Sequence, residues 1–362
     1  MSVLTDKTDR TERTDPPVAP AVGGGLVAAG RRARTRRRRT VIAALVLTVA
    51  GVLLLSLCLG ERWDSPVEVV RALLGEQVPG VSFNVTVLRL PRVLTGLLAG
   101  LAFGMGGVVF QTMLRNPLAS PDIIGISAGS SAVAVVAITM FGLSGATLSL
   151  LAVVGGLVVA GAIYLLSWQR GVHGARLVLT GIAVGAMLDS VISYAMTRTQ
   201  IYYANEALRW LTGSLNSAFW DGVGPLAAAT AVLVPVLLVL SRRLEALQLG
   251  DDTAAGLGVR PDRARLALLV VAVALVAVAT AATGPIAFVA FLSGPIAYRL
   301  VRGTGSPLVP AALVGALLVL LGDLIGQHLL PTRFPVGVVT GVLGAPYLIW
   351  LLARTNRTGG SL

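Results

Sequence analysis

Ten predominantly apolar runs constrain the fold of this chain more than any other feature. Most are close to the roughly 20 residues that a helix needs to cross a bilayer. They fall near residues 41–59, 91–111, 126–142, 146–168, 177–197, 222–241, 264–283, 286–298, 307–327 and 336–353. Because 55% of the 362 residues are hydrophobic and only 13% are charged, the composition is typical of a polytopic membrane protein. We predict an all-α protein with about ten transmembrane helices.

The distribution of basic residues predicts the orientation of these spans. If the N-terminus lies inside, 22 of the 29 Lys and Arg residues fall in inner segments and seven in outer segments. This excess matches the positive-inside rule, so both termini are expected to be cytoplasmic. The net charge of +12 then reflects topology, and no nucleic-acid partner is expected.

The N-terminal segment is polar and ends in an arginine block. We predict a disordered basic cytoplasmic tail over 1–40, a permease domain over 41–355 and a short cytoplasmic tail over 356–362. The alternative for the first segment is a targeting peptide with Arg38-Arg39 as a twin-arginine signal. No small-residue cleavage site follows the first apolar run, which favours a retained signal anchor. Phosphate or nucleic-acid binding by the block is a weaker alternative.

Glycines recur every fourth residue in several spans. This spacing places them on one helix face and lets a neighbouring helix approach closely in lipid. The sets are Gly96, Gly100 and Gly104; Gly181 and Gly185; and Gly337 and Gly341. An odd number of spans separates the two halves of the chain, so a repeat of helices 2–5 in helices 7–10 would be inverted, as in many transporters.

A polar stretch between the first two spans predicts a short surface helix. Asp64-Ser65-Pro66 supplies a cap and a proline suited to a first helical turn. An apolar face follows, and Gly75 ends the segment. We expect this helix to lie on the membrane surface.

The sequence contains no pattern for covalent chemistry. A phosphate-binding P-loop needs a lysine after a glycine-rich loop, but Lys7 is the only lysine and has no glycine near it. His173 and His328 are far apart, so neither a metal site nor a cofactor is predicted. Asp189 and Asp323 are the acids closest to span interiors. For Asp323 we favour a cap or an interhelical hydrogen bond, whereas a structural and a functional role are equally open for Asp189.

A loop over 242–263 is the most informative soluble stretch. Gly250 and Gly258 flank one to two predicted helical turns that begin with two acids, where the helix dipole favours them. Leu249 and Leu257 could point into a partner. A docking helix and a plain amphipathic linker fit these residues equally well.

Taken together, the motifs resemble those of FecCD-type permeases, the membrane subunits of type II ABC importers that carry ferric siderophores, haem or vitamin B12. The resemblance covers roughly 41–355. Its markers are Arg89–Arg92, Gln111, Asn116–Pro121, Gly125, Leu179–Gly185, Trp210–Leu215, Leu249–Gly258, Gly284–Val289, Pro335–Thr340 and Gly344–Pro346.

The resemblance implies three groups of functional residues, to which we add a translocation path. The binding-protein docking arginines are Arg89 and Arg92, with Arg333 as a substitute because Gln327 stands where the family can place an arginine. The ATPase coupling residues are Leu249, Gly250, Asp251, Asp252, Ala254, Leu257 and Gly258. The cytoplasmic gate residues are Asn116, Leu118, Gly174 and Ala175. We place the translocation path along Met187, Asp189, Ser190 and Tyr194.

The resemblance also implies a function and partners. The chain is expected to be a bacterial inner-membrane permease that pairs with a second permease subunit, two cytoplasmic ATP-binding subunits and an external substrate-binding protein. Many family members have Pro-His where this chain has Pro295-Ile296. This departure resembles one subunit of heterodimeric siderophore importers, so a heterodimer and a ferric siderophore are favoured. A vitamin B12 or haem permease and an ion-coupled secondary transporter are the alternatives.

Overall fold

The computed structural model describes residues 24–357, except 61, 123, 169–173 and 303–304. The described residues form thirteen α-helices and one π-helical segment, Asn84–Arg89, that leads directly into α3. The α-helices are α1 (Gly24–Cys58), α2 (Pro66–Leu73), α3 (Leu90–Met113), α4 (Ile126–Phe141), α5 (Gly145–Ser167), α6 (Gly174–Arg198), α7 (Ile201–Leu211), α8 (Trp220–Gln248), α9 (Asp251–Gly256), α10 (Pro261–Thr283), α11 (Val289–Val301), α12 (Leu308–His328) and α13 (Val336–Arg357).

The all-α prediction is confirmed, and each predicted apolar run coincides with a helix. Among the described residues, α1, α3 with its π-helical lead, α5, α6, α8, α10 and α12 are long and apolar enough to cross a membrane. The runs near 126–142, 286–298 and 336–353 correspond to the shorter apolar helices α4, α11 and α13. Helix α7 was not predicted, because Glu206 and Arg209 interrupt its apolar pattern.

The first helix begins earlier than the sequence suggested. Residues 24–40 were predicted to be disordered, but α1 is helical from Gly24 onward. Arginine and alanine are good helix formers, and Gly51 is the only glycine or proline between Arg31 and Cys58. The basic block is therefore a helical extension of the first span. Residues 1–23 of the predicted tail lie outside the described part of the chain.

Helix α3 lies at the centre of the bundle. Every residue from Ala102 to Met113 is buried, and the helix packs against α8, α10, α11 and α12. A Cβ atom on Gly100 would lie 2.5 Å from Ala316 Cα, and one on Gly104 would lie 2.2 Å from the Ala311 carbonyl oxygen. The predicted glycine face of α3 is thus confirmed, and its partner is α12.

A buried glutamine on α3 compensates for a proline inside α11. Pro295 has no N–H group, so the carbonyl of Phe291, four residues earlier, lacks its usual helical donor. Gln111 Nε2 donates to that carbonyl oxygen at 2.8 Å. A Cβ atom at Gly294 would lie 1.8 Å from Gln111 Oε1, so any larger residue here would displace the glutamine side chain. The contact satisfies a polar backbone group that would be costly to leave unpaired in a membrane.

The irregular backbone between α10 and α11 is enclosed by other segments of the protein. Ser214 N donates to the Thr283 carbonyl at 2.7 Å, and Gly337 N donates to the Gly213 carbonyl at 3.0 Å. Gly213 and Gly284 have φ angles of +67° and +71°, which L-residues with side chains rarely adopt. These contacts explain why α11 starts only at Val289, since non-helical backbone at membrane depth must be satisfied by surrounding protein.

Two helices at equivalent places in the predicted repeat begin in the same way. Gly125 precedes α4 with a φ of +82°, and Phe288 precedes α11 with a φ of +64°. Both N-cap residues are left-handed, which is uncommon for a bulky residue such as phenylalanine. The shared geometry supports the inverted repeat, which stays a prediction.

The predicted surface helix is α2. Ser65 is its N-cap, and the Glu68 side chain accepts a hydrogen bond from Ser65 N at 3.2 Å, completing a capping box. Val69 and Ala72 pack inward. The side chains of the predicted apolar face remain exposed, namely Val67, Val70, Leu73 and Leu74.

Candidate functional site

The predicted short helix in the 242–263 loop is present as α9. Gly250 and Gly258 flank it with φ angles of +107° and +79°, so both turns depend on glycine. Ala254 is buried, whereas Leu249 and Leu257 are each 63% exposed. Two large apolar side chains therefore project from the surface on either side of one helical turn.

Polar contacts tie α9 to the rest of the bundle. Asp251 accepts a hydrogen bond from Arg265 Nη2 of α10 at 2.7 Å. Arg115, at the end of α3, donates to the Leu247 carbonyl at 2.8 Å and has a left-handed φ of +49°. Asp251 thus ties α9 to α10, and Arg115 fixes the C-terminal end of α8, from which the chain leads into α9.

The structure brings two of the predicted gate segments together. Asn116 Oδ1 accepts a hydrogen bond from Leu118 N at 2.9 Å, which shapes the turn after α3. A Cβ atom at Gly174 would lie 3.0 Å from Leu114 Cδ2 in that turn. The start of α6, with Gly174 and Ala175, therefore lies against the α3–α4 connection. The gating role itself stays a prediction.

The predicted path residues share an exposed region of α6. Met187, Asp189, Ser190 and Tyr194 are all exposed, and only three residues of this 25-residue helix are buried. The Arg198 guanidinium lies 5.6 Å from the centre of the Tyr194 ring, in range for a cation–π contact. Most of α6 is therefore left uncovered by the other described residues of this chain.

A cleft opens between α6 and the start of α4. It has a volume of about 520 Å³, and Asp122, Ser127, Ser131 and Asp189 contribute polar groups to its lining. The Ser127 hydroxyl donates to the Asp122 carboxylate. Two carboxylates and two hydroxyl groups thus face the same space, with no basic residue among the lining residues.

Asp122 lies in the loop between α3 and α4. Burial raises the pKa of its carboxyl group, and hydrogen bonds from Ser127 and Ser120 oppose that rise by stabilising the charged form. Asp122 was not predicted as a site residue, because it follows Pro121 in a short turn and belongs to no apolar run.

An ion pair joins α3 and α12 near their outer ends. Arg92 Nε and Nη2 donate to the two oxygens of Asp323 at 2.7 and 2.6 Å, in the bidentate geometry that makes such pairs strong. Arg92 Nη1 also donates to Asn216 Oδ1 at 2.9 Å. The interhelical role favoured for Asp323 is confirmed. Asn216 was not predicted, although it directly follows the Trp210–Leu215 motif.

Arg89 is oriented differently from what we expected. Its side chain is 15% exposed and pairs with Asp64, which is 3% exposed, across 2.7 Å. The same Nη1 atom donates to the Leu57 carbonyl at 2.6 Å. Asp64 Oδ2 has no aligned hydrogen-bond donor among the described residues, so its contact with Arg89 is an ion pair. Arg89 was expected to dock an external partner, but its guanidinium is turned inward to this pair, because a buried carboxylate needs a cation beside it. Asp64 is this partner and not the helix cap.

The remaining predicted positions are more peripheral. Arg333 is exposed in the connection between α12 and α13. Gln327 Nε2 lies 3.4 Å from Asn216 Oδ1, which extends the outer polar network. In the described part of the chain, no group of three or more His, Cys, Asp or Glu side chains is arranged to hold a metal ion. His173 lies outside the described residues.

Comparisons with known proteins agree with this architecture. The model of the FecCD transport family matches residues 45–354. The ferric enterobactin transport system permease protein FepG of Escherichia coli (strain K12) is 41% identical over 291 residues, covering 80% of this chain and 88% of that protein. The achromobactin transport system permease protein CbrC of Dickeya dadantii (strain 3937) is 40% identical over 316 residues, covering 86% and 90%.

A solved structure shows a similar fold. It is assigned to the metal-chelate type of ABC transporter and was captured in an inward-facing conformation. It aligns with a TM-score of 0.78 at 27% sequence identity, covering 87% of this chain and 99% of that chain.

Proposed function

Because this chain belongs to the FecCD transport family, we propose that it is the membrane permease subunit of an ATP-driven importer for an iron–siderophore chelate. The observation that carries the proposal is α9, a short helix that two exposed leucines flank, that is tied to α10 and that follows the end of α8 held by Arg115. A plain linker would not need exposed apolar side chains on a fixed helix. A short helix with exposed apolar side chains can bind in an apolar groove of a partner protein.

The partner that α9 fits is a cytoplasmic ATP-binding subunit. The positive-inside rule puts the loop on the cytoplasmic side, and the chain itself has no P-loop lysine. ATP hydrolysis must then occur on a separate chain. The purified permease alone is expected to perform no covalent chemistry.

A second permease subunit would cover the exposed region of α6. Apolar side chains such as Met187 lie beside Asp189 and the cleft, so pairing would enclose a path with a polar lining. We favour a heterodimer, because this chain has Pro295-Ile296 where many family members have Pro-His. Arg92 and Arg333 stay candidates for docking the external binding protein, whereas Arg89 offers little surface for that role.

The substrate class follows from the relatives. Their names specify ferric enterobactin, achromobactin and, for the permease FecD of Escherichia coli (strain K12), Fe(3+) dicitrate. An iron chelate is the common element. We therefore propose an iron–siderophore complex as the cargo rather than vitamin B12 or haem.

Substitutions in α9 test the proposal. The permease is produced with its ATP-binding subunit and binding protein, and Leu249→Glu/Leu257→Glu is compared with the wild type. Charged side chains at the centre of an apolar contact should lower ATPase co-purification and chelate uptake by about tenfold or more. The control is Leu74→Glu, an exposed leucine on α2 at the predicted outer surface. Unchanged ATPase co-purification in the double variant would contradict the proposal.

The cleft acids test the alternative of ion coupling. Asp122 and Asp189 are the residues that favour a secondary transporter, since carboxylates in a membrane cleft can carry protons. If ATP drives transport, Asp189→Asn should retain at least about half of wild-type uptake, a change of less than 1 kcal/mol in the barrier. Uptake in vesicles should also continue with a protonophore present while internal ATP is held constant. Loss of uptake in both measurements would favour the ion-coupled transporter.

A further inference from the structure

The arginine block of α1 lies at the membrane boundary. Val41–Cys58 can span about 27 Å as a helix, close to the thickness of the hydrocarbon core. The residues just before Val41 must then lie at the level of the lipid headgroups, on the side predicted to be cytoplasmic. The block comprises Arg31, Arg32, Arg34, Arg36, Arg37, Arg38 and Arg39.

Two of these arginines are held against the α11–α12 connection. Arg37 Nη2 donates to the Leu300 carbonyl at 3.3 Å, near the C-terminus of α11. Arg38 Nη2 donates to the Ser306 carbonyl at 3.0 Å. Arg38 also packs against Gly305, where a Cβ atom would lie 2.7 Å from its Nη1 atom. Both guanidinium groups are therefore positioned rather than free in solvent.

Three polar atoms at this junction are buried without a hydrogen-bond partner among the described residues. They are Arg37 Nε, Arg38 Nε and Ser306 Oγ. Buried polar groups are nearly always paired, so these three atoms favour a further hydrogen-bonding group at the junction. All three atoms can donate hydrogen bonds, which means that such a group must supply acceptors.

The electrostatics of the junction identify an anion. Helix α12 begins at Leu308, immediately after Ser306 and Pro307, and no side chain caps its N-terminus. The positive end of its dipole adds to the two guanidinium charges. Among the ion pairs of the described residues, none involves Arg37 or Arg38. A phosphate group matches both the charge and the acceptors required.

The position of the junction at the membrane interface indicates which kind of molecule supplies the phosphate group. Arg299 of α11 lies over the Trp350 ring of α13 at 4.7 Å, and Trp350 is close to Tyr347, so an aromatic pair marks the interface at this level. Leu47 on α1 is largely exposed and would contact an acyl chain just inside the membrane. We propose that Arg37, Arg38 and Ser306 form a binding site for the headgroup phosphate of an anionic phospholipid in the cytoplasmic leaflet.

Lipid titration tests this site. The full-length protein, purified in detergent, is titrated with dioctanoyl phosphatidylglycerol and separately with dioctanoyl phosphatidylcholine. We expect tighter binding of the anionic lipid. Arg37→Gln/Arg38→Gln should raise the Kd for phosphatidylglycerol about tenfold or more, because each arginine near the surface contributes to anionic-lipid binding. Ser306→Ala should raise it about threefold, because one hydrogen bond is lost.

A matched double variant separates a defined site from diffuse attraction. Arg31→Gln/Arg32→Gln removes the same charge from exposed positions about 9 Å further along α1, and it should change the Kd by less than about twofold. Equal effects of the two double variants, or equal binding of both lipids by the wild type, would overturn the proposal. Size-exclusion chromatography shows whether Arg37→Gln/Arg38→Gln folds. If it does not, the Kd of the Ser306→Ala variant is used to test the proposal.

Other sources of the anion give different results. Full displacement of phosphatidylglycerol by millimolar inorganic phosphate would show that the site binds the free ion. Loss of the ATP-binding subunit from the Arg37→Gln/Arg38→Gln variant, with an unchanged lipid Kd, would show that the arginines contact a protein. Either result would overturn the lipid assignment.

Discussion

Replacing Gly104 with alanine is expected to prevent the protein from accumulating in its folded form. The new Cβ atom would lie 2.2 Å from the Ala311 carbonyl oxygen, far closer than any stable contact between these atoms. Both atoms belong to packed helices, so no side-chain rotation can relieve the overlap. The free energy of unfolding should fall by at least about 3 kcal/mol, at the upper end of overpacking effects. Expression level and detergent size-exclusion profiles measure this loss.

A glycine without close neighbours provides the control for that variant. A Cβ atom at Gly161 of α5 would have no atom within 4 Å. Gly161→Ala should therefore be neutral or slightly stabilising, by about 0.5–1 kcal/mol, because alanine restricts the unfolded chain. Equal amounts of folded protein from Gly104→Ala and Gly161→Ala would show that α3 and α12 are not in backbone contact.

Much of the fold could be predicted because its signal is local. An apolar run near 20 residues can satisfy its backbone in a membrane only as a helix, so the ten runs predict ten helices directly. The partners of the spaced glycines could not be predicted in the same way. Gly104 packs on another span, but a Cβ atom at Gly181 would meet the Ile124 carbonyl in a loop at 2.5 Å. The four-residue spacing of glycines indicates that another segment packs closely on the helix, but it does not identify that segment.

In the candidate site, too, the features with a local sequence signal could be predicted, and the contacts between distant segments could not. Helix α9 was predicted because its glycines, acids and leucines are neighbours in sequence. The ion pair between Arg89 and Asp64 was not predicted, because the local pattern around Asp64 also fits a helix cap. Arg92 and Asp323 are 231 residues apart, and nothing in either segment identifies the other. Long-range charge pairs arise from the packing of helices, which one sequence does not reveal.

Breaking the ion pair between Arg92 and Asp323 is expected to cause the second large loss of stability. Their side chains are 22% and 12% exposed, so removing one partner leaves a poorly solvated charge. Arg92→Asp should destabilise the protein by about 2–4 kcal/mol, since it also places two carboxylates together. The charge-swapped variant Arg92→Asp/Asp323→Arg should recover most of the lost thermal midpoint. A midpoint that stays low would mean that the ion pair does not hold α3 to α12.

The same swap separates a structural role of Arg92 from the proposed docking role. If Arg92 also attracts acidic residues of the binding protein, moving the cation to α12 should weaken docking even after folding is restored. We expect a roughly tenfold higher Kd for the binding protein at low ionic strength, with a smaller difference at high salt, because screening reduces attraction between exposed charges. Reconstituted protein and purified binding protein allow this comparison at two salt concentrations. If the swapped variant folds normally and binds with wild-type affinity at low salt, Arg92 contributes to the bundle alone, and docking must rely on other residues such as Arg333.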